Sequence, residues 1–309
     1  MRKSVLIALI VAIALIILGV VLAGAALVSV GFRFENLSTV EIIRGEHTIT
    51  ETFSSIDIDT LSADVRVKLS EDDVCRIEYA TRSDLSYDVT SGTLYVKTES
   101  ADPIVYIGIG YVSEYVTLYL PRDTYEALAI HTTSGDIYVF PAFDAVKNAK
   151  ISSTSGDISF IGIVSESLTV ETTSGEIVIR EPNAKSVHVK ATSGDVTLSA
   201  VYAETVSVKT TSGEVELEAV TATDTLSVET NSGDIELYCD AGEIYLESTS
   251  GDIEGSIGSA KHYIVDTTSG SVRIPPIDEQ AGICKIHTTS GDIKIKTARD
   301  AVNSFERDD

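Results

Sequence analysis

The sequence predicts an all-β protein: a single-stranded parallel β-helix, or solenoid, of about 19–20 residues per coil, preceded by one transmembrane helix. Three observations predict this fold. A Ser-Gly dipeptide recurs at a nearly constant interval, apolar and polar residues alternate on both sides of it, and the N terminus carries a long uncharged apolar stretch. Hydrophobic residues make up 43% of the 309 residues, which is too many for a disordered acidic chain.

The N-terminal segment has the length and composition of a membrane span. Residues 4–32 carry no charge, and their apolar core, residues 5–28, is ~36 Å long as a helix, enough to cross a hydrocarbon layer of ~30 Å. Because Arg2 and Lys3 precede the span, the positive-inside rule predicts a cytoplasmic N terminus and an extracytoplasmic remainder. We therefore predict a single-pass signal anchor in the cell membrane. A cleaved signal peptide is the alternative, because residues 23–25 resemble a cleavage site.

The Ser-Gly dipeptide marks an internal repeat. From Gly135 onward its glycines are separated by 21, 19, 19, 19, 20, 18, 19 and 21 residues, usually within Thr-Ser-Gly-Asp or Thr-Ser-Gly-Glu. Apolar residues lie seven and five positions before the glycine and two and four after it, so each copy reads as strand, turn, strand. We predict that the glycine supplies the positive φ of a tight turn. The predicted turn glycines are Gly92, Gly135, Gly156, Gly175, Gly194, Gly213, Gly233, Gly251, Gly270 and Gly291.

Stacking of the repeats predicts the divisions of the chain. One copy is too short to bury its apolar face, whereas stacked copies bury a continuous core; a propeller blade needs about 40–50 residues and does not fit. Upstream, Ala63 takes the glycine position of a degenerate copy, and the aromatic stretch 103–120 is predicted to cap the N-terminal end. The predicted divisions are residues 1–32 (cytoplasmic N terminus and signal anchor), 33–127 (irregular β part and cap), 128–297 (regular solenoid) and 298–309 (polar tail).

An acidic residue follows nearly every repeat glycine, and stacking brings these acids onto one edge. The functional interpretation is a ladder of Ca²⁺ sites, because Ca²⁺ takes 6–8 oxygen ligands. The structural interpretation is a solvated turn whose acid bonds to the local backbone. One acid per coil is sparse, which favours the structural interpretation. The candidate metal ligands are Asp136, Asp157, Asp195, Asp234, Asp252 and Asp292.

Residue types typical of catalysis or redox chemistry are not clustered in the sequence. Its five histidines form no Ser/His/Asp motif and no metal-ligand spacing, so we predict no catalytic residue, no cofactor and no enzymatic activity. Cys75, Cys239 and Cys284 lie far apart with no C-x-x-C motif. We predict that all three are buried thiols, since Cys284 occupies an inward position that is apolar in most other copies.

The charge of the chain restricts its partners. There are 23 basic and 47 acidic residues, a net charge of −24, and beyond residue 32 the net charge is −26. Such a surface repels phosphate backbones, so we predict that nucleic acid is not a partner.

A run around the first regular repeat resembles a known family. Residues 116–121 read VTLYLP and residues 128–137 read LAIHTTSGDI, a strand ending in Leu-Pro followed by the first repeat. This pattern resembles the putative-adhesin family of bacterial and archaeal surface proteins, a domain family of unknown function, over about residues 50–297. The resemblance implies a toast-rack β-solenoid with a right-handed coil, often behind an N-terminal membrane anchor.

We predict a membrane-anchored extracytoplasmic solenoid that binds or scaffolds at the cell surface. Its predicted partners are the membrane and an envelope polymer or surface protein, because a repeated surface suits weak multivalent contact with a repetitive polymer. One alternative is an envelope-stress or signalling component that senses a ligand outside the membrane. A polysaccharide-active β-helix enzyme is a third hypothesis, disfavoured because no acid/base pair is clustered.

Overall fold

A computed structural model of the chain describes residues 3–29, 42–98, 113–122, 124–140 and 145–297. Three sequence predictions therefore lie wholly or partly outside the described residues. They are the cytoplasmic N terminus, the polar tail 298–309, and most of the aromatic stretch 103–120.

One helix, α1 (Lys3–Ser29), precedes the β-structure, and its side chains are described over residues 11–25, 28 and 29. Among the described residues, no helix is both long and apolar enough to cross a membrane. The predicted helix is thus present, and the predicted membrane span is not confirmed.

The rest of the described chain is almost entirely β-strand. The N-terminal strands are β1 (Ile43–Ile49), β2 (Ser55–Thr60), β3 (Asp64–Leu69), β4 (Cys75–Thr81), β5 (Leu85–Thr90), β6 (Thr93–Thr98) and β7 (Tyr115–Leu120). The central strands are β8 (Thr124–Thr132), β9 (Ile137–Phe140), β10 (Ala145–Ser155), β11 (Ile158–Ile161), β12 (Val164–Ser174), β13 (Ile177–Arg180), β14 (Asn183–Ser193), β15 (Val196–Ser199) and β16 (Tyr202–Lys209). The C-terminal strands are β17 (Val215–Ser232), β18 (Ile235–Ser250), β19 (Ile253–Ile257), β20 (His262–Ser269), β21 (Val272–Arg273), β22 (Ile283–Ser290) and β23 (Ile293–Thr297).

Each coil turns a corner at the repeated Ser-Gly, which separates two faces built from parallel strands. Face A contains the strands that precede the corner, and face B contains those that follow it; β17 and β18 are long enough to run through both. In spatial order, face A is β6, β2, β8, β10, β12, β14, β16, β17, β18, β22 and β20. Face B is β7, β3, β9, β11, β13, β15, β17, β18, β19, β23 and β21. The predicted single-stranded parallel solenoid is confirmed.

The core is one continuous column of apolar side chains inside the coils. Val187 and Val189 on face A and Val196 and Leu198 on face B are each at most 1% exposed, and the same inward positions are buried in the neighbouring coils. This is the alternation read from the sequence, and it follows because successive side chains on a strand point to opposite sides. Every coil is therefore held by its neighbours rather than by a core of its own.

The N-terminal part departs from parallel pairing. Strand β4 lies antiparallel between β1 and β7, and β5 lies antiparallel on β6. The degenerate copy at Ala63 is nonetheless a full coil, because β2 and β3 pair in parallel with β8 and β9.

The coils at the two ends are not stacked in chain order. At the N-terminal end, the coil β2–β3 lies between β6–β7 and β8–β9. At the other end, β22 and β23 lie between β18–β19 and β20–β21, so the corner glycines run Gly251, Gly291, Gly270. The last two strands in the chain, β22 and β23, therefore have neighbours on both sides, whereas β20 and β21 form the last layer of the described stack. The sequence had suggested no such exchange.

Lys261 is buried where the exchanged coil begins. Its side chain is 4% exposed, and its Nζ donates hydrogen bonds to the carbonyl oxygens of Ala241 and Gly242. The Asp240 carboxylate lies 3.7 Å from the same nitrogen. A buried ammonium is tolerated only when it is paired and hydrogen-bonded, so these contacts tie the start of β20 to β18, two layers away.

The three thiols are buried, as predicted, and unpaired. Burial raises the pKa of Cys75, Cys239 and Cys284 to about 12 each. Because the thiolate is the reactive form, we expect no reaction of the folded protein with a thiol reagent at pH 8, and three equivalents after denaturation. A thiol that titrates in the folded protein would contradict this packing.

Candidate functional site

The corner glycines are required by the close approach of one coil to the next. A Cβ at each would lie 2.0–2.2 Å from the carbonyl oxygen of the adjacent corner, a distance that no side chain tolerates. At Gly194, for example, that oxygen belongs to Gly175. The predicted reason was a positive φ, yet only Gly175 and Gly270 among the corner glycines have φ clearly in that range, at 154° and 155°. Space, rather than backbone conformation, selects glycine at most corners. The other members of this stack are Gly135, Gly156, Gly213, Gly233, Gly251 and Gly291.

Gly92 belongs to a different kind of turn. It lies with Ser91 between the antiparallel strands β5 and β6, and its φ is 79°. Nothing lies within 4 Å of a Cβ placed there, so this glycine is selected by its left-handed backbone and not by a neighbouring coil.

The corner aspartates bond to the next coil. In each case one carboxylate oxygen accepts a hydrogen bond from the backbone N–H that follows the next corner glycine. Asp195 Oδ1, for instance, lies 2.9 Å from the nitrogen of Glu214. The other acceptors, at 2.7–3.2 Å, are Asp64, Asp136, Asp157, Asp234, Asp252 and Asp292.

The glutamates at the same position behave differently. Glu176 and Glu214 accept no such bond from any described residue, because their side chains are one methylene longer. The pKa of Glu214 is raised by desolvation and then by the nearby charges of Glu236, Asp195 and Asp234. The pKa of Asp292 is lowered, chiefly by the backbone N–H of Ser271. That stabilisation is present above the unfolded pKa and is lost as pH falls through the lower folded value.

This ladder supports the structural interpretation of the corner acids. In the described part of the chain, no group of three or more His, Cys, Asp or Glu side chains is placed to hold a metal ion. The six candidate Ca²⁺ ligands lie along one edge, as predicted, each with one oxygen engaged by backbone. The calcium ladder itself stays a prediction, to be tested by whether calcium raises the melting temperature.

Removing a corner carboxylate should cost a measurable fraction of stability. We expect Asp195→Ala to lower the free energy of unfolding by about 1 kcal/mol, because the N–H of Glu214 loses its acceptor. Glu176→Ala is the matched control, expected to change stability by less than about 0.5 kcal/mol. Equal effects of the two substitutions in urea denaturation would show that the ladder contributes nothing.

Two adjacent hydroxyl residues precede most of the Ser-Gly corners and point in opposite directions, as the sequence indicated. Thr133 is exposed, whereas Thr132 is buried and accepts a hydrogen bond from Gly135 N at 3.1 Å. The inward hydroxyls close the corner from inside, since Thr288 Oγ1 donates to Gly251 O at 3.2 Å and Ser248 Oγ donates to Gly233 O at 3.3 Å. The inward row is largely buried, whereas the outward row is exposed along the corner and is interrupted by Asn231.

Three of the five histidines, His47, His131 and His287, have local side-chain partners. His47 stacks against Tyr79 with ring centroids 5.5 Å apart, and His131 Nδ1 lies 3.0 Å from Ser152 Oγ. His287 Nδ1 lies 3.4 Å from an oxygen of Asp266.

A surface groove lies on face B near the C-terminal end of the described stack. This groove has a volume of about 580 Å³ and crosses β17, β18, β19, β23 and β21. Sequence reasoning missed it, although comparing the outward positions three and five after each corner glycine would have shown its composition. The outward residues that line it are Glu216, Glu218, Glu236, Tyr238, Glu254, Ser256, Arg273, Lys294 and Lys296. A smaller groove of about 390 Å³ lies on face A around Tyr245 and Lys285.

Stacked parallel coils, a repeated Ser-Gly corner and an apolar interior define this chain as a β-solenoid protein. The chain belongs to the Toastrack DUF4097 family, whose model matches residues 53–254. The resemblance read from the repeats is thus confirmed.

The chain is similar to several solved structures at low sequence identity. A putative adhesin from Parabacteroides merdae is 13% identical with a TM-score of 0.48, over 83% of this chain and 97% of that chain. One from Parabacteroides distasonis is 11% identical with a TM-score of 0.47, over 83% and 98%. A putative lipid binding protein from Parabacteroides distasonis is 18% identical with a TM-score of 0.43, over 84% and 98%. No curated protein matches the chain.

Proposed function

We propose that this chain is a cell-surface binding rod that recognises a repetitive envelope polymer without chemically altering it. The observation that carries the proposal is the register of the coils. Outward side chains at equivalent positions, such as Glu216, Glu236 and Glu254, follow one another on paired strands. The spacing is ~4.8 Å per coil, so the rod meets a polymer with ordered rows of polar groups. Many weak contacts along such rows together give a high overall affinity, or avidity.

Membrane attachment through the N-terminal segment is part of this proposal. It is supported by the uncharged residues 4–32 and by the two basic residues ahead of them. We expect the full chain to remain in the membrane fraction after an alkaline wash, and a chain lacking residues 3–29 to be released. Recovery of both chains in the soluble fraction would contradict the tether.

Co-sedimentation tests the binding role. We expect the full chain to sediment with insoluble cell-wall sacculi that retain their attached polymers, and to be lost when those polymers are extracted. Chitin serves as the unrelated polymer. Sedimentation no greater than the background would overturn the binding role, and release of new reducing ends from the sacculi would overturn the non-enzymatic role.

A further inference from the structure

The face B groove joins two regions of opposite charge. At one end Glu216, Glu218 and Glu236 have no ion-pair partner among the described residues. At the other end the cations Lys296 and Arg273 are exposed and likewise have none in the described chain. From Glu216 on β17 to Arg273 on β21 there are four strand spacings, or ~19 Å.

One lysine with two carboxylate partners separates the two regions. Lys294 Nζ lies 2.6 Å from Glu254 and 3.4 Å from Asp292, so this lysine is neutralised within the protein. The exchange of the last two coils creates the boundary, because it places the basic strand β23 directly beside β19. Stacking in chain order would instead have placed β21 there.

The floor of the groove is small and polar beside an exposed aromatic ring. Tyr238, Ser256 and Lys296 occupy one row on successive strands, with Tyr238 53% exposed. Ser256 is 93% buried by its neighbours, yet its hydroxyl has no hydrogen-bond partner within the described residues. This hydroxyl lines the groove, where it is available to hydrogen-bond a ligand.

The acidic end of the groove is unfavourable in the free protein. Glu216, Glu236 and Glu254 are directly adjacent across paired strands, and like charges so placed destabilise a sheet. The raised pKa of nearby Glu214, caused by desolvation and then by Glu236, reflects the same negative field. A cationic group bound here would relieve the repulsion.

We propose that this groove binds a zwitterionic glycan segment, in which an amino sugar and an acidic sugar lie within one short oligosaccharide. The ammonium contacts Glu216 and Glu236, the anionic group contacts Lys296 and Arg273, and a sugar ring stacks on Tyr238 above the Ser256 hydroxyl. This inference rests on the proposed function, because it names the chemistry of the polymer that the rod recognises.

A glycan fits the groove better than a peptide does. Four of the five strands are paired on both sides, and the free edge of the fifth, β21, is only two residues long, which is too short for strand addition. One aromatic ring is too little apolar surface to anchor peptide side chains. Carboxylates and a free hydroxyl, in contrast, are suited to a ligand rich in hydroxyl groups.

Calorimetry with defined oligosaccharides tests the proposal on the full chain in mild detergent. The probe is an N-deacetylated heparosan tetrasaccharide, which alternates a carboxylate with a free ammonium. Heparosan itself, whose amines are acetylated, and a glucosamine tetrasaccharide, which lacks carboxylates, are the matched comparisons. We expect the zwitterionic probe to bind at least about tenfold more tightly than either.

Substitutions locate the binding in the groove. Tyr238→Ala should weaken binding of the probe about tenfold, whereas Tyr202→Ala, on another side of the coil and equally exposed at 53%, should not. Lys296→Gln should remove the preference over the glucosamine tetrasaccharide, and Lys190→Gln on face A should leave it. All four residues are outward-facing, so unchanged melting temperatures are expected.

The results that would contradict glycan binding in the groove differ from those that would contradict polymer binding by the rod. No binding of the zwitterionic probe, equal binding of all three oligosaccharides, or wild-type affinity of Tyr238→Ala each overturns the glycan groove. If Tyr238→Ala still sediments with sacculi, only the groove has failed. If the unaltered chain does not sediment, the proposed function has failed.

Discussion

Replacing Gly194 by alanine is expected to lower the free energy of unfolding by about 2–3 kcal/mol. The added Cβ would stand 2.0 Å from the carbonyl oxygen of Gly175 and 2.8 Å from its carbonyl carbon. Backbone atoms of a neighbouring coil cannot move aside as a flexible side chain would. The two coils must therefore separate locally, which weakens the hydrogen bonds and the aspartate ladder at that corner.

Urea denaturation of the full chain measures this effect, with Thr192→Ala as the control. Thr192 is exposed at the same corner, and its truncation should change stability by less than about 0.5 kcal/mol. If Gly194→Ala were as mild as the control, the close approach of successive corners would be wrong.

Pairs of introduced cysteines are expected to show the exchanged order of the last coils, because a disulfide forms only between residues on adjacent strands. Glu247 and His287 are register partners on β18 and β22, about 4.8 Å apart, within the range of a disulfide. Glu247 and Asp266 are two strands apart, about 9.6 Å, which is too far. In the double variant Glu247→Cys/His287→Cys, oxidation should therefore form the disulfide nearly completely. In the double variant Glu247→Cys/Asp266→Cys, the two introduced thiols should stay reduced.

Gel mobility without reductant distinguishes the pairs, and His287→Cys with Asp266→Cys is the positive control because those residues are also register partners. The three native thiols are buried and should not interfere. Efficient closure of the Glu247–Asp266 pair would mean that the coils stack in chain order.

The strands and corners were predictable because every copy of the repeat must bury the same inward apolar positions. Each inward apolar position, such as Val189, recurs in neighbouring coils, and only a stacked structure buries them all. The reason for the corner glycine was misjudged, because the crowding around Gly194 arises from a carbonyl that is 19 residues away in sequence.

The order of the end coils was not predictable from local pattern. The corner of Gly270 follows that of Gly251 by the usual 19 residues, so nothing local to it forbids stacking in chain order. What distinguishes the observed order is tertiary: Lys261 finds the carbonyls of Ala241 and Gly242 only in the folded rod. The 21-residue interval before Gly291 is no sign of it, because an equal interval precedes Gly156, where the coils stack in chain order.

The groove escaped prediction for a related reason. Tyr238, Ser256 and Lys296 are unremarkable in sequence and become neighbours only through strand register, with the last of them brought in by the exchange. The repeated acids, in contrast, attracted a functional hypothesis because they are periodic, yet they bond chiefly to backbone. The periodic corner acids therefore indicate architecture, whereas the binding that we propose involves the outward rows of the faces.

We propose that the corners stabilise the coils and that the face B groove binds the polymer. One paired measurement tests this most directly. Binding of the full chain to polymer-bearing sacculi would be measured for Asp195→Ala and for Tyr238→Ala, alongside the melting temperature of each. The account predicts that Asp195→Ala melts earlier and binds normally, while Tyr238→Ala melts normally and binds weakly. Loss of binding in Asp195→Ala below its melting temperature, with Tyr238→Ala unaffected, would contradict it.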